Sequence, residues 1–253
     1  MAKKLKLGNY YLSNKVLNKT LGIVIKVIKY GESSAICHIY TQEFGLIGFH
    51  IPAVFNGKGK GKIKSAYLQP LQLLEISFNY NKTKNLQSLS EASCPFIFNL
   101  THYQNQAFYH VICELLQQSL KENEINIPLF KYLQQSLLPS INNPLHYWAL
   151  PSTMVNLLYF HGCAPNVDSY QSHSLLDLNE GIYRTNLLSL KNSALESSSA
   201  AIYLLLKDEK DLLPLDSKLR TEVIDDLERY YKVHINEFLE LKSRAIWGEL
   251  MAS

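Results

Sequence analysis

Arginine is missing from the first 90 residues, and acids nearly so. Glu32, Glu43 and Glu75 stand there against 13 lysines, a net charge of +10. The chain of 253 residues also lacks any unbroken apolar run of membrane-spanning length, which takes about 18 residues. Its basic start, MAKKLKLGNYYLSNKV, has no apolar stretch of signal-peptide length, so the chain reads as cytoplasmic. Cysteine is scarce: Cys37, Cys94, Cys113 and Cys163 form no CxxC pair. That argues against a disulfide framework or a paired-thiolate zinc site and leaves free thiols.

Chemistry-bearing patterns are also missing. The segment FNGKGKGKIK (Phe55–Lys64) has the glycines and lysines of a phosphate loop, but Lys62 stands where the second glycine of G-x-x-x-x-G-K-[ST] is required, so nucleotide binding there is not expected. Asp225 and Asp226 are adjacent and diverge on a helix, and Glu228 with Lys232 reads as an ordinary surface pair at i,i+4. Cys163, His161 and His173 lack the four spaced ligands of a structural zinc. No catalytic residue, metal or cofactor is expected, and the chain reads as a non-enzyme.

What is present is charge asymmetry and two textures. Residues 91–253 hold 12 basic and 19 acidic residues, a net of −7. A basic front and an acidic back imply surfaces with different partners, the front suited to a polyanion. The alternative is that the lysines merely keep a β-domain soluble. Leu21 to Leu89 reads as five short strands, in LGIVIKVIKY, AICHIYT, LIGFHIPAV, YLQPLQLLEISFNY and NLQSLSEA. Five strands in so short a span predict a small barrel, of which the OB-fold is one form. Pro70 marks an edge or a strand start.

Helical spacing follows. NQAFYHVICELLQQSL puts Ala107, Phe108, Val111, Ile112, Leu115 and Leu116 on one face. PLFKYLQQSLL begins at Pro128, PLHYWALPSTMVNLLYFHG is broken or kinked at Pro151 and ended by Gly162, and ALESSSAAIYLLL is shorter. The longest helix is predicted from Ser217 to Trp247, with Phe238 and Leu241 on its apolar face. The expected plan is a basic leader over 1–20, an OB-fold domain over 21–90, and a helical domain over 91–253 with an irregular excursion at 164–192.

Within this plan Lys58, Lys60, Lys62 and Lys64 alternate with glycine. A compliant backbone carrying point charges suits phosphates of an irregular strand and reads little sequence. Lys82 and Lys84 can extend the field, and Phe55 and Tyr67, which flank the segment, are the candidate stacking residues. Lysines on an OB barrel do not separate DNA from RNA, so an RNA-binding module remains an alternative. A protein-interaction scaffold is the other.

The order GIVIKVIKYGESSAICHIYTQEFGLIGF, KGKGKIK, LQPLQLLEI, LFKYLQQSL, NLLYFHGCAPN and LERYYKVHINEFLELKSRAIWGEL resembles the bacterial RecO family of DNA repair and recombination mediators, over about residues 20–250. The resemblance implies an N-terminal OB-fold and a helical domain. It implies binding of single- and double-stranded DNA, annealing of complementary strands and a place at the nucleoid. The implied partners are the acidic C-terminal tail of single-stranded DNA-binding protein and RecR, with a functional link to RecA loading. The family's basic positions fall on Lys26, Lys29 and the Lys58–Lys64 segment. Two departures stand out. Many relatives carry a zinc site after the GxxP element, which here is GCAPNVDSYQSHSLLDLNEG with one cysteine. Family members also start close to the first strand, so the basic leader is expected to be either a DNA-binding arm or the product of an upstream start.

Overall fold

A computed structural model describes residues 17–55, 63–95, 103–138, 144–185, 192–245 and 247. Five strands form first: β1 (Asn18–Tyr30), β2 (Ser34–Thr41), β3 (Gly45–Ile51), β4 (Leu73–Phe78) and β5 (Leu86–Ser93). They close a barrel in the order β1-β2-β3-β5-β4, with β3 and β5 parallel and the other pairs antiparallel. This is the five-stranded OB-fold expected from the sequence. β1 is long because it serves two neighbours, pairing β4 over Asn18–Ile23 and β2 over Gly22–Tyr30. At the crossover a Cβ on Gly22 would meet Ile39 Cγ2 at 2.5 Å, so this corner requires glycine. Pro70 lies in the turn before β4, where it removes no ladder hydrogen bond.

Alternation sorts the side chains. Val24, Cys37, Ile39, Phe49, Leu74 and Phe78 fill the barrel. Ile23, Ile25, Tyr40 and Leu46 point outward and pack on the helical half, so part of the barrel wall belongs to the larger core. Ile25 is the extra residue of a β-bulge, for Val24 pairs with Ile39 and Lys26 with the adjacent His38. The bulge puts two consecutive residues, Ile25 and Lys26, on the outside.

The helical half contains α1 (Tyr103–Ser119), α2 (Ile127–Tyr132, continued by a π turn over Leu133–Leu137), α3 (Ala149–Phe160), α4 (Glu196–Leu206) and α5 (Ser217–His234). The expected face of α1, from Ala107 to Leu116, is buried. Pro128 sits in the first turn of α2, and the Asn126 side chain caps that helix by accepting from Leu129 N–H at 2.9 Å. Three expectations are corrected. Pro151 neither breaks nor kinks a helix, because α3 begins at Ala149 and a first-turn proline forfeits no intrahelical bond. α5 stops at His234, with Ile235 extended and Glu237 at φ 58°. Phe238 and Leu241 are buried by a fold-back instead of helical continuation. The excursion contains a hairpin, β6 (Leu175–Asp177) with β7 (Ile182–Arg184), backed by Tyr170 stacked on Tyr203 at 3.9 Å.

Asn126 links barrel to helices. Its carbonyl accepts from the Tyr40 hydroxyl of β2 at 3.0 Å, and its amide donates to Phe160 O, at the end of α3, at 2.9 Å. Among the described residues no helix is long and apolar enough to cross a membrane.

Candidate nucleic-acid interface

Strand register assembles an uncovered wall on the barrel. Its first row runs Lys26, His38, Gly48, Leu86 across β1, β2, β3 and β5; the second runs Ile28, Ile36, His50, Ser88; Tyr30 and Ser34 follow. A Cβ on Gly48 would meet Leu86 Cδ2 at 2.8 Å, so the side chain of Leu86 lies over the glycine. Burial lowers the His38 pKa, with nearby Lys26 adding to that and Glu122 opposing it.

The predicted lysines divide over this scaffold. Lys26 stands on the wall, placed there by the bulge. Lys29 is three residues further along a regular strand, so it emerges on the opposite side, at the end of the barrel. Lys82 and Lys84 lie in the β4–β5 loop, which leads directly into Leu86. That loop is clamped by Gln87, 3% exposed. Its Oε1 accepts from Asn81 N–H at 2.9 Å, and its Nε2 donates to Asn81 O at 2.9 Å and Lys84 O at 2.8 Å.

Lys58, Lys60 and Lys62 lie outside the described residues. The anchors of their segment are clear. Val54 and Ile63 are both buried in the barrel core, and the N–H of Phe55 donates to Ser33 O in the β1–β2 turn at 2.9 Å. The lysine alternation breaks at Ile63 because that residue is an anchor. Phe55 is exposed near Tyr30's end of the wall. Tyr67 is half-buried against the barrel core, and Lys64 Nζ sits 5.7 Å from its ring centroid.

Acids are gathered elsewhere. Glu43, Glu75 and Glu91 line a groove of about 600 Å³ beside Lys19, on the wall formed by β4, the start of β1 and the end of β5. The remaining barrel acid is Glu32, in the β1–β2 turn.

A second groove, about 1060 Å³, lies between α5 and the 240–247 segment. Apolar Ile224, Leu241 and Trp247 line it with Arg220 and Arg244. Arg244 is satisfied by Asp225 and Glu228; burial opposes its charge, but these carboxylates outweigh burial and raise its pKa. Arg220 differs. It is 4% exposed, lies 3.9 Å over the Tyr147 ring and donates from Nη1 to Tyr147 O at 3.4 Å. No carboxylate among the described residues pairs with it, and burial lowers its pKa. The Trp247 indole N–H is likewise buried without an acceptor among the described residues.

Comparison with known proteins covers the barrel separately and then nearly the whole chain. A family model described as Recombination protein O N terminal matches residues 16–98, the barrel and its flanks. The DNA repair protein RecO of Bacteroides fragilis is 29% identical over 93% of this chain and 99% of its own length. Those of Phocaeicola vulgatus and Christiangramia forsetii are each 27% identical, over 94% and 93% of this chain and 100% and 99% of their own. The chain is thus similar to RecO proteins along nearly its whole length, and its barrel half matches the RecO N-terminal model.

Among the described residues, no group of three His, Cys, Asp or Glu residues could hold a metal. Cys37, Cys113 and Cys163 form no disulfide, and Cys37 and Cys113 are buried; burial pushes the Cys37 thiol up to about 12. His173 Nδ1 contacts Glu196 Oε1 at 2.5 Å and the Cys163 thiol faces Leu158 O, so each has its own partner. Glu228 is no surface residue: it is buried and bound to Lys232, Arg244 and the Leu241 N–H. Sequence reasoning missed His38, Gln87 and Arg220. The polar alternation of β5 offered a weak sign of Gln87; nothing local marks a helical arginine that lacks an acid.

Proposed function

We propose that this chain is a non-enzymatic recombination mediator that binds single- and double-stranded DNA and anneals complementary strands. In this reading it also helps load RecA on DNA covered by single-stranded DNA-binding protein. The observation that carries the DNA reading is the uncovered wall with Lys26 on it and the Lys82–Lys84 loop at its rim, while three of the four barrel acids lie in another groove. Lysines at that spacing lower the repulsion between two phosphate backbones, which lets complementary strands meet. Base pairing then supplies the driving force, and no bond in the protein needs to form or break.

The helical groove takes the acidic C-terminal tail of single-stranded DNA-binding protein in this reading. Support comes from Arg220 and the Trp247 N–H, two buried donors whose desolvation an incoming carboxylate would offset. Tethering the coated strand there raises its concentration at the barrel. RecR is the further partner, and the nucleoid the place of action.

The test is annealing of complementary oligonucleotides coated with their single-strand binding protein. Wild type is compared with a folded variant carrying alanine at Lys58, Lys60, Lys62 and Lys64. Wild type should accelerate annealing and the variant should lose most of that effect. Equal rates would move the DNA site off the lysine–glycine segment. A wild type that binds RNA in preference to DNA of equal length, or that accelerates nothing, would overturn the mediator reading.

A further inference from the structure

The wall carries more apolar and aromatic surface than phosphate contact requires. Tyr30 is 57% exposed, Ile28 41% and Leu86 39%. They are neighbours through the register, with half-buried Ile36 and His50 between them. Tyr30 meets His50 edge to face, ring centroids 5.9 Å apart and planes at 87°. The ring pair is thus carried by strands β1 and β3 instead of a loop. No acid occurs in these rows; Lys26 stands at one end, with Glu122 near His38 and Glu32 in the turn beyond Tyr30. An exposed aromatic and aliphatic wall rimmed by lysine fits a ligand that is anionic along its length and offers flat apolar faces.

Resting on the DNA reading above, we propose that Tyr30 and His50, floored by Ile28, Ile36 and Leu86, form a base-stacking platform that distinguishes unpaired strands from duplex. A duplex buries its base faces in its own stack and presents phosphates, so lysines serve both forms of DNA. Only unpaired bases can lie on a side-chain ring. The platform would hold bases of a captured strand while the lysines hold its backbone, leaving the strand extended for pairing. Phe55, tied to the β1–β2 turn, lies at the same end and would extend the platform toward the lysine–glycine segment.

The test uses the full chain with three probes of equal length: oligo-dT, the same backbone without bases, and a duplex. Tyr30→Ala should weaken oligo-dT binding at least about fivefold, the lower bound expected for one stacked base. It should leave the abasic strand and the duplex unchanged, and Tyr30→Phe should restore the loss. Tyr30 is exposed, so an unchanged thermal melt is the folding control. Equal loss on all three probes would overturn the platform and give Tyr30 a general supporting role. No loss in Tyr30→Ala or His50→Ala, alongside a clear loss in Lys26→Ala, would also overturn the platform; it would leave the DNA reading standing and free the wall for a protein partner. Failure of wild type to bind any probe would sink both readings.

Discussion

Gln87 and Asn81 bind each other twice: the Asn81 amide donates to Gln87 Oε1 and the Gln87 amide donates back to the Asn81 carbonyl, both at 2.9 Å. A buried side chain thus takes the place of a backbone ladder and fixes a loop that carries two lysines. Removing it should cost about 2–3 kcal/mol, since three hydrogen bonds are lost and loop groups are left unpaired. Gln87→Ala should speed hydrogen exchange at the Lys84 amide, which donates to Asn81 O. It should also weaken DNA binding less than removal of both lysines does. Unchanged exchange at Lys84 would show that the clamp is dispensable.

Salt dependence separates lysines in contact with phosphate from those that are not. Each lysine that neutralises a phosphate contributes about 0.7 to the slope of log K against log salt on a single strand and about 0.9 on duplex. Lys26→Ala and Lys84→Ala should each lower the slope by that amount. Lys19→Ala, beside the acidic groove, should leave it unchanged.

Arg220 should be needed for peptide binding and not for folding. Its burial with no acid beside it among the described residues costs desolvation energy, while its stacking on Tyr147 returns about 1–2 kcal/mol. Arg220→Met should therefore shift stability by no more than about 1 kcal/mol in either direction. Affinity for an acidic peptide ending in a carboxylate should fall at least about tenfold, as expected for a lost charge-assisted bond. Titration of a labelled peptide by fluorescence anisotropy, with a thermal melt in parallel, checks both.

Acid should weaken the fold through His161 and His38. Burial lowers the His161 pKa from 6.5, with Lys121 adding to this and Glu124 opposing it. Its Nε2 is buried without a partner among the described residues, near Tyr40 and Ser119 at the barrel–helix junction. The unfolded chain takes up the proton first, so this contribution is intact above pH 6.5 and is lost as pH falls below it. Melting temperature should drop across that window, and less steeply in His161→Gln.

Local pattern carried much of the architecture. Short strand-length runs bounded by turns, β-branched in the first three, marked five strands in the right places, and the apolar spacing of α1 named its buried face. The same spacing misled beyond His234. Phe238 and Leu241 keep helical intervals, yet the chain there is held by α1 side chains more than a hundred positions away. Gln118 Oε1 accepts from Leu239 N–H, and Glu114 accepts from the N–H groups of Lys242 and Ser243. Periodicity records which residues are buried and does not say by what route.

Composition and short-range spacing were enough for the barrel-then-helix order, the surplus of lysine over acid in the front half, and the resemblance to the RecO family. The candidate interface emerged with folding. Simple alternation would place Lys26 beside Val24 in the barrel interior, and the bulge at Ile25 turns it outward. The row Lys26, His38, Gly48, Leu86 exists because β3 pairs in parallel with β5, a register no single strand encodes. Arg220 stands out because the elements packed around it bury it with no carboxylate partner among the described residues. Desolvation and cross-strand register are properties of distant segments brought together, so they became visible only once the chain was folded.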